Sequence, residues 1–467
     1  MDKKRRDFLK KAGAFSAAGF LPSEILAFTD GSINDAASKI TNFVIKNAQV
    51  LSMDDDIGDF KRASVVVENG IIKSVSEDFT NNSDFEIIDG EGAILLPGLI
   101  DNHWHLWTSL LRSMAGDTKA EGYFPMTERY SKLYSPRDMK LAAKYAAAEA
   151  INGGITCLND FNHNARSPEY VMASFDALAE AGMRGHVAYG PYRDLSSDTP
   201  TDFDGIKKVL QATKGVEKYK GISLGLGARS VNSQFLKEDW SRARELDLPI
   251  TIHASSNEEQ KGQISKLANI GLLGEDVNII HANAITDEEI VAVEESGASI
   301  TMTPYSEMRI GFGFPQVNRL MHSGINLGVG VDTTALSGNA DLLSVLKLLL
   351  NIGNAEANDE FATDPREVLK MATINAAKLL GIEKETGSVT PGKSADLILL
   401  RKNDLNFSAS TQPYHLVVEA AQPANVEFVS VGGRILKKDG ALLNIDAGNL
   451  VKRAKATLQR MEEQVNN

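Results

Sequence analysis

Five residues suited to metal binding or proton transfer recur at one kind of place in this chain. His103 and His105 stand in Leu95-Leu-Pro-Gly-Leu-Ile-Asp-Asn-His-Trp-His105, at the end of an apolar run. Residues i and i+2 of a strand point the same way, so both imidazoles converge on one spot. Imidazole nitrogen is a favoured zinc ligand, which makes this His-x-His half of a candidate metal site. His253 closes Leu248-Pro-Ile-Thr-Ile-His253, His281 closes Val277-Asn-Ile-Ile-His281, and Asp332 closes Asn326-Leu-Gly-Val-Gly-Val-Asp332. Imidazoles and a carboxylate form a mixed N/O set for one divalent ion, zinc first, then iron or manganese, with a position open for water. Such water loses a proton near pH 7 and becomes a nucleophile. The competing structural reading has these histidines satisfied by backbone carbonyls and Asp332 capping a helix. Repetition at several strand ends argues against it.

To converge, these residues need a scaffold that gathers strand ends. Short strands are expected first, in Thr41–Leu51, Ala63–Lys73 and Phe85–Asp89, with Asn69-Gly70 marking a hairpin. From residue 94 the pattern changes to strands separated by longer helical segments, the signature of parallel βα architecture. Eight strands are expected: 94–100, 156–161, 186–190, 222–226, 249–253, 277–281, 299–303 and 326–331, the number that closes a (β/α)₈ barrel. Helices are expected over 136–151 and over 168–181, the latter with Ser167 as N-cap, Pro168 first and Gly182 as stop. Two more are expected over 341–354 and 365–380, and an amphipathic one over 447–464. Strands return in 395–400 and 426–436. The expected fold is α/β: a TIM barrel over 94–384, a small β-sandwich side domain from both chain ends (41–93 and 385–445), and a C-terminal helix over 446–467.

Composition restricts function further. The 467 residues are 43% hydrophobic and 24% charged, which fits a barrel plus a side domain. A net charge of −13 argues against a nucleic-acid surface. The single cysteine, Cys157, rules out an intramolecular disulfide and the Pro-Cys-x-x-Cys zinc deaminases. Lys4-Arg-Arg-Asp-Phe-Leu-Lys10, followed by the mildly apolar 12–21, resembles a twin-arginine export signal over residues 1–30. That implies the twin-arginine machinery as a partner and a periplasmic or extracellular location. A basic amphipathic helix is the alternative. No run is long and apolar enough for a stable membrane span.

Taken together, Pro97-Gly-Leu-Ile-Asp-Asn-His-Trp-His105, Gly153-Gly-Ile-Thr156, Thr251-Ile-His253, His281, Val329-Gly-Val-Asp332, Ala372-Thr-Ile-Asn-Ala-Ala377 and Gly387-Ser-Val-Thr-Pro-Gly-Lys-Ser-Ala-Asp396 resemble the amidohydrolase superfamily, in its cytosine-deaminase and triazine-hydrolase branch. The resemblance covers about 43–438. It implies that His103, His105, His253 and Asp332 hold one metal ion, that His281 contacts the hydrolytic water or the developing oxyanion, and that Asp332 also accepts the water's proton. Two-metal relatives carry a bridging carboxylated lysine, whereas Gly225-Leu-Gly-Ala-Arg-Ser230 holds none, so a single metal is expected. Arg229 is then a candidate substrate anchor. Deaminases of this branch place a glutamate three residues after the fifth-strand histidine; here that position is Ser256, with Glu258 and Glu259 the nearest acids. Serine is no acid–base group at neutral pH without a partner.

The expected activity is hydrolysis of a non-peptide carbon–nitrogen bond in a small cyclic or heterocyclic compound. Loss of another leaving group, halide or thiol, is the alternative enzyme reading, and a catalytically silent ligand-binding barrel the non-enzyme one. Ser256, Arg229, Trp107 and His163 are candidate substrate contacts, and Trp104, Phe124 and Tyr130 candidate pocket walls. Monomer and homo-oligomer both remain open.

Overall fold

A computed structural model describes residues 39–78, 85–408 and 410–466. The expected export signal, residues 1–30, lies outside the described residues. The first described segment forms β1 (Phe43–Val50), β2 (Phe60–Glu68), β3 (Ile71–Ser76), β4 (Glu86–Asp89) and β5 (Ala93–Pro97). Asn69 and Gly70 both have positive φ, 53° and 81°, as the tight hairpin between β2 and β3 requires. The hairpin expected at Asn69-Gly70 thus divides 63–73 into the end of β2 and the start of β3.

The barrel strands follow: β6 (Leu99–Trp104), β7 (Ile155–Asn162), β8 (Arg184–Tyr189), β9 (Ile222–Gly227), β10 (Ile250–Ala254), β11 (Val277–His281), β12 (Ser299–Met302) and β13 (Asn326–Val329). They pair in sequence order, all parallel. Helices cover the outside and side chains fill the inside, so strands such as β7 are buried along their whole length. The sheet closes through a parallel bridge between Trp104 and Asp332: Asp332 N–H donates to His103 O and His105 N–H to Asp332 O, both at 2.7 Å. The eight strands therefore form a nearly closed TIM barrel.

One boundary differs from expectation. Residues 94–100 do not form one strand; β5 belongs to the side sheet, and the barrel begins at Leu99 rather than at 94. The chain passes from one sheet to the other at Gly98, where a Cβ would lie 2.1 Å from Thr156 Oγ1. This shift carries His103 into the strand and leaves His105 just beyond its end.

The remaining strands, β14 (Leu397–Arg401), β15 (Val426–Val431), β16 (Arg434–Lys438) and β17 (Ala441–Leu442), join the first five. Both chain ends thus build one nine-stranded sheet, with β5 between β1 and β14. Its β3 edge folds back onto the segment that leads into β14: Ile72 N–H donates to Lys393 O and Ala395 N–H to Gly70 O, each at 2.8 Å. The folded sheet encloses its own apolar core, including Phe43, Val65, Leu397 and Phe428.

The helix Pro136–Asn152 starts at a capping box in which Ser135 and Asp138 satisfy each other's backbone N–H. Pro168–Ala181 ends at Gly182 in the left-handed conformation, but Ser167 makes no side-chain cap bond. The helix expected over 365–380 is instead two, Pro365–Lys370 and Ile374–Leu379. They are separated where Ala372 O accepts from Ile100 N–H (2.8 Å) at the barrel's edge. The C-terminal helix Ala447–Asn466 buries Met461 in a cluster with Trp107, Tyr130 and Tyr134, and Arg460 pairs with Asp138 at 2.8 Å. Among the described residues, no helix is long and apolar enough to cross a membrane.

Candidate metal centre and active site

The C-terminal ends of parallel barrel strands face one mouth, where active sites of this architecture form. β6, β10 and β11, together with the residues after β13, deliver His103, His105, His253, His281 and Asp332 to that mouth. His103 Nε2 lies 3.2 Å from His253 Nε2 and 3.3 Å from Asp332 Oδ1, and His105 Nε2 lies 3.2 Å from the same Asp332 oxygen. The ligand atoms of His103, His105 and His253 all lie within 4.8 Å of one another. A tetrahedral ion with nitrogen ligands at ~2.0 Å separates neighbouring donors by about 3.3 Å, which the 3.2 and 3.3 Å spacings match.

The nitrogens also point their lone pairs the right way. His105 Nδ1–H donates to the Phe161 carbonyl at 2.8 Å, which leaves its Nε2 unprotonated and free to bind a metal. Burial, the main cause, pushes the His103 imidazole down to about 3 and His253 well below its ordinary range. Both are thereby held in the neutral, ligating form. Burial alone would raise Asp332, yet the His103 and His105 rings, whose Nε2 atoms lie 3.3 and 3.2 Å from its Oδ1, hold its carboxyl well below the usual carboxylate range. Three neutral imidazoles and an ionised carboxylate converging in a buried pocket fit a divalent cation.

The backbone is held in unfavourable conformations to achieve this. His281 and Asp332 have φ of 76° and 61°, values that residues bearing a Cβ rarely adopt, and Ala282 follows at 59°. Asp101 supplies part of the restraint. Its Oδ1 accepts from His103 N–H and its Oδ2 from Val331 N–H, both at 2.9 Å, so one buried carboxyl ties β6 to the end of β13. Asp332 does not cap a helix; Thr333 occupies that position for the short turn Thr334–Ser337.

A cavity of about 410 Å³ opens above the cluster. Tyr123, Phe124, Phe161 and Phe312 give it flat apolar walls, and Ser256 and His163 line it too. Trp107 does not. It is buried, and its Nε1–H donates to His163 Nδ1 at 3.2 Å, so it braces a wall residue rather than meeting a substrate. Trp104 and Tyr130 are buried away from the cavity, and only Phe124 of the three expected walls borders it. Glu258 and Glu259 face outward and do not line it, so neither replaces the acid absent at Ser256, whose N–H donates to Gln260 Oε1 at 3.2 Å.

Arg229 borders the cavity, but its guanidinium is committed to the carbonyls of Ser196 (2.8 Å) and Thr199 (3.0 Å). The available cation is Arg193, which sequence reasoning did not single out. Its guanidinium stands 5.2 Å from the ring centroids of both Tyr123 and Phe124, and among the described residues no carboxylate pairs with it. Its sequence signal was its place in Pro191-Tyr-Arg193, just past a barrel strand. Glu307 was also missed; it is fully buried and 3.2 Å from His281 Nδ1.

Comparison with known proteins agrees with this geometry. The model of the amidohydrolase family matches residues 94–436. The chain is 27% identical over 448 residues to a 5'-deoxyadenosine deaminase of Methanosarcina mazei, covering 91% of this chain and all of the relative. It is 27% identical over 446 residues to a 5-methylthioadenosine/S-adenosylhomocysteine deaminase of Thermoanaerobacter pseudethanolicus, covering 90% and 100%. Among solved structures, a zinc-bound adenosine deaminase from Xanthomonas campestris superposes with a TM-score of 0.80 at 21% identity, covering 91% of this chain and 99% of that one. A variant of atrazine chlorohydrolase from Arthrobacter aurescens, complexed with zinc and atraton, does so with a TM-score of 0.80 at 22% identity, covering 89% and 99%. The strand-end ligand cluster and the match over the whole barrel lead to one conclusion: the chain belongs to the amidohydrolase family.

Proposed function

We propose that this protein is a metal-dependent hydrolase that cleaves a non-peptide carbon–nitrogen bond in a small cyclic or heterocyclic compound. The observation that carries this reading is the convergence of His103, His105, His253 and Asp332 beneath a cavity with aromatic walls. Relatives named as deaminases of adenosine-type compounds, and a structural neighbour named for a triazine, support a planar, nitrogen-rich substrate.

His103, His105, His253 and Asp332 would hold one divalent ion, zinc by the ligand set. An ion bound there would supply the activation of water as a nucleophile near pH 7 and the polarisation of the carbon under attack. Asp332 and His281 border the space above the ligands and are placed to take the water's proton. Tyr123, Phe124 and Phe161 orient a flat ring and exclude water. Arg193, Arg229 and the ion would outweigh Asp332, the one carboxylate that lines the cavity among the described residues, which favours a substrate that is neutral or carries an anionic substituent. Ser256, buried in the cavity lining, supports a second reading, hydrolysis with a leaving group that needs no strong acid, such as halide or thiol. The two readings part on a substrate panel, by release of ammonia or amine against release of chloride or thiol.

The paired Arg5 and Arg6 with the apolar stretch behind them support export through the twin-arginine pathway, which would place the enzyme outside the cytoplasm. The test of the function is elemental analysis of the purified protein beside a His103→Ala, His105→Ala double variant. We expect about one zinc, iron or manganese per chain, absent from the variant together with all turnover on cyclic amides and amidines. Metal retained by the variant would refute the site.

A further inference from the structure

We propose that Glu307 is a positioning residue that fixes His281 as a proton acceptor facing the cavity, and that this pair carries the proton traffic that Ser256 cannot. The inference rests on the hydrolytic reading above. Glu307 Oε1 accepts from the backbone N–H of Thr303 at 2.7 Å and from the Thr303 hydroxyl at 3.1 Å. That oxygen is therefore an acceptor, and His281 Nδ1, 3.2 Å away, must be the donor to it. With the ring's proton on Nδ1, Nε2 is bare. Among the described residues no protein group bonds to Nε2, and it is not among the sealed-off polar atoms, so it opens into the cavity that His281 lines.

This tautomer decides between the two roles that the resemblance left to His281. A neutral ring with bare Nε2 cannot donate a hydrogen bond to an oxyanion; it can only accept. In the forward step an O–H bond of the attacking water breaks and its proton moves to Nε2, while the water oxygen bonds to the substrate carbon. The imidazolium that results keeps its Nδ1–H on the Glu307 carboxylate. It then returns the proton from Nε2 to the leaving nitrogen as the C–N bond breaks, so proton and electron pair both balance. A buried carboxylate behind a histidine is the arrangement by which such rings are oriented and their charged form stabilised. Here Glu307 is fully buried, and its second oxygen, Oε2, is sealed in without a hydrogen-bond partner among the described residues. The left-handed backbone at His281 and Ala282 shows that the ring's placement is imposed rather than relaxed.

A purely structural role is the competing account, because the bond to Thr303 N–H also secures the start of the helix Pro304–Ile310. Glu307→Gln and Glu307→Leu separate the two. Gln keeps an acceptor for Thr303 N–H and Nδ1–H but removes the charge. Leu removes the acceptor and frees the Thr303 hydroxyl, 3.0 Å from Nδ1, to donate to the ring. The first readout needs no substrate: nitrogen-15 spectra of histidine-labelled full-length protein, metal-free and zinc-loaded, with the His281 signals assigned from a His281→Asn variant. We expect Nδ1–H in the wild type and in Glu307→Gln, and Nε2–H in Glu307→Leu. The second is turnover on the panel: kcat lower by about tenfold or more in Glu307→Gln, with KM within about twofold. A wild-type ring protonated on Nε2, or an unchanged kcat in Glu307→Gln, would overturn the proposal. If no substrate is turned over, the tautomers still decide the role of Glu307, and only the hydrolytic reading falls.

Discussion

Gly330→Ala tests whether the metal centre depends on barrel closure. A Cβ at Gly330 would lie 2.5 Å from His103 O and 2.8 Å from His103 N. Both are backbone atoms of a strand, so the clash is relieved only by moving β6 away from the end of β13. That movement strains the two closing bonds between His103, His105 and Asp332, each 2.7 Å long. Losing them costs ~1 kcal/mol each, and the overpacking about 1–3 kcal/mol more, for a total of about 3–5 kcal/mol. At ~2.1 cal/mol/K of unfolding entropy per residue, a folded unit of roughly 430 residues loses about 3–6 °C in Tm. The same movement displaces three of the four proposed ligands, so zinc affinity should fall about tenfold or more. Thermal unfolding of the metal-free protein and zinc titration against a chelator measure the two effects. Gly153→Ala is the control, since a Cβ there meets nothing closer than 3.6 Å. A Gly330→Ala protein with Tm within about 1 °C of wild type and unchanged zinc affinity would refute the coupling of closure to metal binding.

Two further outcomes follow from the site's electrostatics. Burial, the largest cause, raises the Asp160 carboxyl to about 6 although it accepts from Ser174 Oγ (2.6 Å) and Leu106 N–H (3.1 Å). The folded state therefore holds a proton that the unfolded chain releases near pH 4, and stability should decline as pH rises from about 4 to 6, by on the order of 3 kcal/mol. Asp160→Asn should remove that part of the slope in urea titrations across this range; an identical slope would refute the assignment. For any substrate with an anionic group, Arg193→Met should raise KM about tenfold or more, from the loss of a charged hydrogen bond. Arg229→Met should chiefly lower Tm through its two lost carbonyl bonds. The reverse pattern would restore Arg229 as the substrate anchor.

Much of the frame was legible because strand periodicity is local. The apolar runs before His253 and His281 mark β10 and β11 to within a residue, and the helix expected from Pro136 starts there, closed by a capping box at Ser135 that the structure adds. Where two sheets share one apolar run, as at 94–100, hydrophobicity is the same on both sides, and only the steric contact at Gly98 shows the division. Likewise 365–380 carries one helical pattern, yet its middle is spent on a bond to β6.

The sequence by itself determined the chemistry on offer: imidazoles and a carboxylate at strand ends, a serine where relatives carry a glutamate, and too few cysteines for a thiolate centre. These follow from residue type and from spacing along a single strand. Only the tertiary structure decided which side chains share a space. It buried Trp107 behind His163, spent Arg229 on carbonyls while leaving Arg193 over two aromatic rings with no carboxylate among the described residues, and set Glu307 behind His281 across 26 residues of chain. The reason is physical: each of these depends on loop paths and on competition among donors and acceptors far apart in sequence, and no local periodicity encodes them.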